Sequence, residues 1–179
     1  MKKIMLPIII AVFFTSCTEI YYPAPQPEFA KELTEIPEKF QGEFWRVGAI
    51  MNDSSIDSSF YVVTENQIKA DGKVVFDSEN TVFKSWLNYL FLNQKEDSLI
   101  ESDFWGCIII HTNGLKGENE KITYKQINTE NVDWSSFDLA DTDEGNSHIY
   151  IQNLSTTQFH YLLKKAEGGG IQFEIHRIK

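Results

Sequence analysis

Four histidines, His111, His148, His160 and His176, are the natural general bases for hydrolytic chemistry in this chain. A hydrolase also needs a nucleophile and a group that orients the base. The sequence contains no Gly-x-Ser-x-Gly elbow, no His-Glu-x-x-His helix and no Gly-rich loop ending in Lys-Ser/Thr. The residues favour a protein that is not an enzyme, and a small hydrolase with a histidine base remains the alternative.

The densest acidic run, residues 138–145, is the natural candidate for a calcium site. An EF-hand loop starting at Asp141 needs Gly at its sixth position and Glu at its twelfth. Those positions hold Asn146 and Gln152, and no Cys/His cluster has zinc spacing. We therefore expect a solvated acidic loop, and we predict no metal and no cofactor.

The chain begins with the order of residues that is typical of an export signal. Lys2 and Lys3 precede an apolar run over residues 4–14, and small Thr15 and Ser16 follow it. This run has about half of the roughly 20 apolar residues that a membrane-spanning helix needs. A cleaved signal is therefore favoured over a permanent span.

The stretch Phe14-Thr15-Ser16-Cys17 resembles the bacterial lipobox, in which small residues precede an invariant cysteine. The resemblance implies that residues 1–16 are removed and that Cys17 becomes a lipid-modified N-terminus. Two or three acyl chains there give effectively permanent attachment to the membrane. Thr18 follows where Asp would favour inner-membrane retention, so we expect an outer-membrane lipoprotein, facing the periplasm or the surface.

Residues 17–28 contain Pro23, Pro25 and Pro27, which prevent a regular helix and predict an extended tether of about 3 Å per residue. Residues 29–179 then have the size of one globular domain.

Processing removes two lysines, which leaves 14 basic and 26 acidic residues, or a net charge of about −12. That surface repels phosphates, so we expect no nucleic-acid partner. Cys107 lies in an apolar strand-like run, and we expect a buried, inert thiol.

The periodicity of the domain predicts a mainly β fold. Asp71-Gly72 separates two short β-like runs and predicts a type I′ hairpin. Residues 82–92 fit a helix or a strand, and we favour a strand over residues 88–94. Ser155 and Gln158 form a capping box before an apolar helical stripe. About eight strands in an antiparallel barrel or strongly curved sheet, with one helix before the last strand, are therefore expected.

This order is similar to that of the lipocalin-like (calycin) barrels, which open with a short turn and a Gly-x-Trp motif. Gly42-Glu43-Phe44-Trp45 is the matching stretch, with Phe44 where the motif has Trp, and Arg177 corresponds to an Arg that packs on that ring. The resemblance implies a small apolar ligand inside the barrel. The strand residues expected to face inward and bind it are Phe60, Val62, Phe76 and Ile109.

The predicted function is a lipid-anchored binding or accessory module of the cell envelope. The alternatives are the small hydrolase and an interaction subunit of an outer-membrane protein complex. We expect the four tryptophans to be mainly core residues, and the alternative is that they line a cavity or a protein-binding face. They are Trp45, Trp86, Trp105 and Trp134.

The lipid anchor depends on one thiol, so Cys17→Ala should give unprocessed or soluble protein. Metabolic labelling with a fatty acid measures this directly. Label that persists in the variant would show that Cys17 is not the attachment site.

Overall fold

The computed structural model describes residues 19–47, 58–95, 104–112, 121–125, 127, 129–140, 148–169 and 172–178. Its strands form a strongly curled, mainly antiparallel half-barrel, and a single helix precedes the last strand. This confirms the expected fold class. The described residues contain thirteen strands rather than about eight, because several short strands lie outside the regular hairpins.

The elements follow one another along the chain with short connections. In order they are β1 (Glu19–Tyr22), β2 (Glu32–Leu33), β3 (Gly42–Val47), β4 (Ser58–Val63), β5 (Gln67–Ala70), β6 (Lys73–Asp77), β7 (Thr81–Trp86), β8 (Tyr89–Lys95), β9 (Trp105–Thr112), β10 (Lys121–Lys125), β11 (Asp138–Leu139), β12 (His148–Asn153), α1 (Thr156–Gly169) and β13 (Gln172–Arg177). Single-turn 3-10 helices lie at Glu38–Phe40, Thr129–Asn131 and Trp134–Ser136.

The sheet forks at β9. Its main path runs β2-β7-β8-β9-β10-β13-β3-β4-β5-β6. One edge of β9 pairs with β8 along most of its length. The opposite edge is shared, because β1 pairs with Trp105 and Gly106 while β10 pairs from Ile109 onward. β12 and β11 continue the sheet beyond β1. The strand wall therefore divides between Gly106 and Ile109.

Two hairpins show how local sequence sets the sheet. Asp71 and Gly72 have φ values of 49° and 80°, as the predicted type I′ turn requires. Residues 81–95 form the β7–β8 hairpin, so the strand prediction is confirmed and the helical alternative is wrong. Leu87 begins its two-residue turn with a φ of 54°.

The concave face of the half-barrel holds the main core. Side chains from the 3-10 turn, β3, β7 and β8 are fully buried there, and their burial is the largest favourable term in folding. The buried residues of this cluster are Ile36, Phe40, Phe44, Val63, Ile68, Phe83, Leu90, Leu92 and Ile122.

Helix α1 covers the convex face of β8 and β9. The Ser155 N–H donates to Gln158 Oε1 at 2.9 Å, and the Gln158 N–H donates to Ser155 Oγ at 3.3 Å. These bonds confirm the capping box. The predicted stripe of Phe159, Leu162, Leu163 and Ala166 is buried. It packs in two clusters that include Phe91, Ile109 and Ile151.

The tether prediction is wrong for residues 19–28. Glu19–Tyr22 is a paired strand, and the segment after it lies against the convex face of the sheet. The Gln26 N–H donates to Asn93 Oδ1 at 2.7 Å, and Asn93 Nδ2 donates back to the Gln26 carbonyl at 2.9 Å. Lys84 Nζ donates to the carbonyls of Pro25 (2.9 Å) and Pro27 (3.2 Å). The prolines keep this segment out of regular secondary structure. Side chains of the sheet therefore provide the hydrogen-bond partners that its backbone groups need.

Residues 1–16, Cys17 and Thr18 lie outside the described residues, and so do residues 141–145 of the acidic run. Within the part of the chain that the structure describes, no helix has the length and apolar character needed to cross a membrane.

Two substitutions, one at the N-cap of α1 and one inside it, test how the helix is stabilised. Ser155→Ala should reduce the free energy of unfolding by about 1 kcal/mol, because it removes the cap. Leu162→Ala should reduce it by roughly 2 to 5 kcal/mol, because the side chain is fully buried. Chemical denaturation measures both values, and equal, small effects would show that the helix is not docked on the sheet.

Candidate functional site

A cavity of about 300 Å³ lies where the sheet forks. Apolar side chains form more than half of its wall, and three tyrosines, a glutamine and a lysine add polar atoms. Its lining consists of Ile20, Tyr21, Tyr22, Phe76, Leu92, Gln94, Gly106, Cys107, Ile108, Ile109, Tyr124, Lys125 and Ile127.

The curl of the sheet brings distant strands to this cavity. Leu92 on β8 and Ile108 on β9 are cross-strand neighbours and both pack in the concave core. Phe76 comes from β6 at the far end of the sheet path and packs against the same core. A flat sheet would separate β6 from β9 by five intervening strands, so the curvature of the sheet is what forms the cavity.

The N-terminal strand closes the forked side. Tyr21 is buried and its ring stacks on Tyr150 of β12 with centroids 5.3 Å apart. Tyr22 is buried in the cluster beneath the helix. Burial, together with the nearby Cys107 thiol, raises the pKa of Tyr22 well above its ordinary value, so its hydroxyl stays protonated. The strand therefore contributes neutral aromatic walls.

Gly106 leaves room in the wall of the cavity. A Cβ built on it would lie 3.8 Å from Tyr21 Cε1 and 4.0 Å from the Gln94 carbonyl oxygen, which is ordinary van der Waals contact. Alanine therefore fits at this position. A longer side chain would extend into the space that the glycine leaves open.

The four predicted ligand-contact residues do not share one face. Phe76 and Ile109 line the cavity, although the Ile109 side chain also packs with Phe91 and Phe159 on the helix side. Tyr61 and Val63 are the β4 residues that pack in the concave core. Because side chains alternate along a strand, Phe60 and Val62 lie on the opposite, convex face.

The inward orientation expected for Phe60, Val62 and the Ile109 side chain is therefore wrong. The reason is a shift of one residue in the phase of the alternation, which moves every side chain of a strand to the other face. Phe60 instead contacts Trp45, whose ring centroid is 6.4 Å away on the neighbouring strand.

Sequence reasoning missed Tyr21, Gln94, Gly106 and Tyr124 as cavity residues. The three prolines that follow Tyr21 predict a tether there, and Gln94 lies in the polar end of β8, between Asn93 and Lys95. Gly106 carries the one readable signal, because a glycine inside a strand often marks a place where another group approaches closely.

The start of β3 shows the contact that the lipocalin-like resemblance implied. The Arg177 guanidinium carbon lies 4.9 Å from the centroid of the Phe44 ring. Arg177 Nη1 also donates to the Gln41 carbonyl at 2.5 Å. Gly42 has a φ of 138°, and a Cβ there would overlap the guanidinium group. Arg177 on β13 thus adds a cation–π contact and a hydrogen bond between the last strand of the chain and the start of its neighbour β3.

The histidines are dispersed and none lines the cavity. His111 packs on Tyr89 at 4.7 Å, His148 on Tyr21 at 5.4 Å and His160 on Trp86 at 5.0 Å between ring centroids. Burial lowers the pKa of His111, which favours its neutral form. Among the described residues, no group of three or more His, Cys, Asp or Glu side chains is placed to hold a metal.

Comparisons of the chain with protein-family models, with curated proteins and with solved structures find no match.

The Cys107 thiol gives a test of the cavity wall. Burial raises its pKa to about 12, so the thiolate needed for alkylation is scarce at pH 8. In a Cys17→Ser background, iodoacetamide should modify the folded protein about a thousandfold more slowly than the unfolded chain. The rate should rise about tenfold per pH unit up to pH 11. Equal rates for folded and unfolded protein would show that the thiol is exposed and ionised.

Proposed function

We propose that this protein is a lipid-anchored binding protein of the cell envelope that holds a small, largely apolar ligand in the forked cavity. The observation that carries the proposal is the cavity itself. Its volume of about 300 Å³ is at the lower end of the range of roughly 300–1,000 Å³ for ligand sites. Its walls come from five separated segments of the chain, which is typical of a binding site.

The lining limits the chemistry of the ligand. Phe76, Leu92 and Ile108 offer an apolar surface, and each CH₂ group buried against it contributes about 0.8 kcal/mol to binding. Gln94, whose Nε2 donates to Thr81 Oγ1 at 3.3 Å, and Tyr124 add polar atoms to the lining, which suits a ligand with one polar group. The volume corresponds to about ten water molecules at about 30 Å³ each. A short acyl chain or a small ring compound with one polar group fits both limits.

The lipobox-like stretch that ends at Cys17 supports attachment to the membrane. The mature chain carries a net charge of about −12, so electrostatic attraction to anionic lipids does not hold it there. Acyl chains on Cys17 supply the attachment instead, and Thr18 favours the outer membrane as the destination.

Ligand binding is measured best as a thermal shift, with short-chain fatty acids and small ring compounds that carry one polar group as the panel. A bound ligand stabilises the fold by about 2.7 kcal/mol when its concentration is a hundredfold above Kd. Gly106→Leu should abolish the shift, because its side chain fills the cavity. Val74→Leu is the matched control, since Val74 is exposed on β6 and does not line the cavity.

Gly106→Ala separates loss of space from loss of fold, because its added methyl group fits. It should keep a native melting transition and a measurable ligand shift. The proposal is wrong if no compound in the panel shifts the melting temperature, or if Gly106→Leu binds as well as the native protein. Hydrolysis of a generic ester, peptide or glycoside, abolished by one His→Ala change in a folded protein, would favour the hydrolase instead.

A further inference from the structure

An exposed apolar patch lies at the turn of the β7–β8 hairpin. Leu87 is 67% exposed and Phe29 is 41% exposed. The half-buried Trp86 lies beside Phe29, with ring centroids 5.6 Å apart. We call Phe29, Trp86 and Leu87 the tip patch.

Leu87 is an unusual residue for its place in the turn. Its φ of 54° is in the left-handed region, which favours Gly or Asn and is rare for a bulky side chain. The turn is held on both sides, because Lys39 Nζ donates to the Leu87 carbonyl at 2.5 Å and the Thr112 N–H donates to the Asn88 carbonyl at 3.0 Å. The backbone thus presents an apolar side chain to the surroundings in a fixed orientation.

The attachment point is close to the folded domain. One residue, Thr18, separates Cys17 from the start of β1, so the two Cα atoms are at most about 7 Å apart. The contacts of Gln26 with Asn93 and of Lys84 with Pro25 and Pro27 fix the segment after β1 on the sheet. A lipid on Cys17 would therefore hold the domain without a spacer.

The direction of β1 relates this point to the tip patch. β1 runs antiparallel to β9, with Tyr21 opposite Gly106, so Glu19 is level with Ile108. Read backwards from Tyr22 to Glu19, the strand points toward the C-terminal end of β9. The β7–β8 turn is at that same end, because Tyr89 pairs with His111. Along β9, the turn is four to five residues beyond the level of Ile108 and Glu19. At about 3.4 Å per residue, this distance is about 15 Å along the strand axis.

We propose that the tip patch contacts the membrane surface and orients the anchored domain on the bilayer. This inference rests on the proposed lipid anchoring at Cys17. Leu87 and Phe29 enter the boundary between headgroups and acyl chains, and Trp86 lies at headgroup level, where Trp is enriched. Lys39 beside the turn faces the lipid phosphates. The anchor supplies the attachment, and the patch determines which end of the domain faces the lipid.

The test uses the full-length lipidated protein in neutral phosphatidylcholine vesicles. Leu87→Cys is labelled with a polarity-sensitive fluorophore, and Val74→Cys on the exposed edge strand β6 is the matched control. Protein that keeps Leu87 and is treated with the same fluorophore shows how much label Cys107 takes up. We expect a blue shift at position 87, with quenching by lipids brominated near the headgroup, and a water-like spectrum at position 74.

Fatty-acid incorporation measured on the same samples separates the two proposals. If Cys17 carries lipid but labels at positions 87 and 74 both report water, the membrane contact is wrong and the anchor stands. Such a result would assign the tip patch to a protein partner. If Cys17 carries no lipid, the anchoring and the contact both fail.

Discussion

The docking of residues 19–27, first as strand β1 in the sheet and then as a segment on its convex face, is the interaction on which the rest of the structure depends. Asn93 is 0% exposed, and its amide both accepts from and donates to the backbone of Gln26. Lys84 is buried beside it and its ammonium group donates to two proline-segment carbonyls. Removing one partner from such an arrangement leaves buried polar groups unsatisfied, at about 1–3 kcal/mol each.

This docking links the two halves of the functional account. It carries β1 into the fork of the sheet, where residues 20–22 complete the wall of the cavity. The docking also leaves one residue, Thr18, between Cys17 and the folded domain, where an extended tether would have placed about ten. A chain with the same half-barrel and a detached N-terminal segment would lack β1 and would have an open slot along β9 at Trp105 and Gly106 instead of a closed cavity wall.

The features predicted from the sequence are those that neighbouring residues determine. Asp71 and Gly72 specify their own turn, and Ser155 and Gln158 specify their own helix start. The cavity depends on long-range register, which the sequence does not display. Lys84 and Asn93 occupy positions that alternation assigns to solvent, and only the docked segment makes them buried.

The same limit explains the error at Phe60 and Val62. Phe60, Tyr61, Val62 and Val63 are all apolar or aromatic, so the pattern of β4 contains no signal for the face that packs inward. The contact between Arg177 and Phe44 joins residues that are far apart in the chain, and its prediction came from a family resemblance alone.

Hydrogen exchange at the backbone of residues 19–27 tests the central claim most directly. If the segment is docked, the Gln26 amide, which donates to Asn93, and the amides paired within β1 should exchange as slowly as those of β8. An Asn93→Ala variant should accelerate Gln26 while α1 keeps its protection. Exchange of residues 19–27 at the rate of an unstructured peptide in the native protein would contradict the account, because the cavity wall and the short anchor would then both be absent.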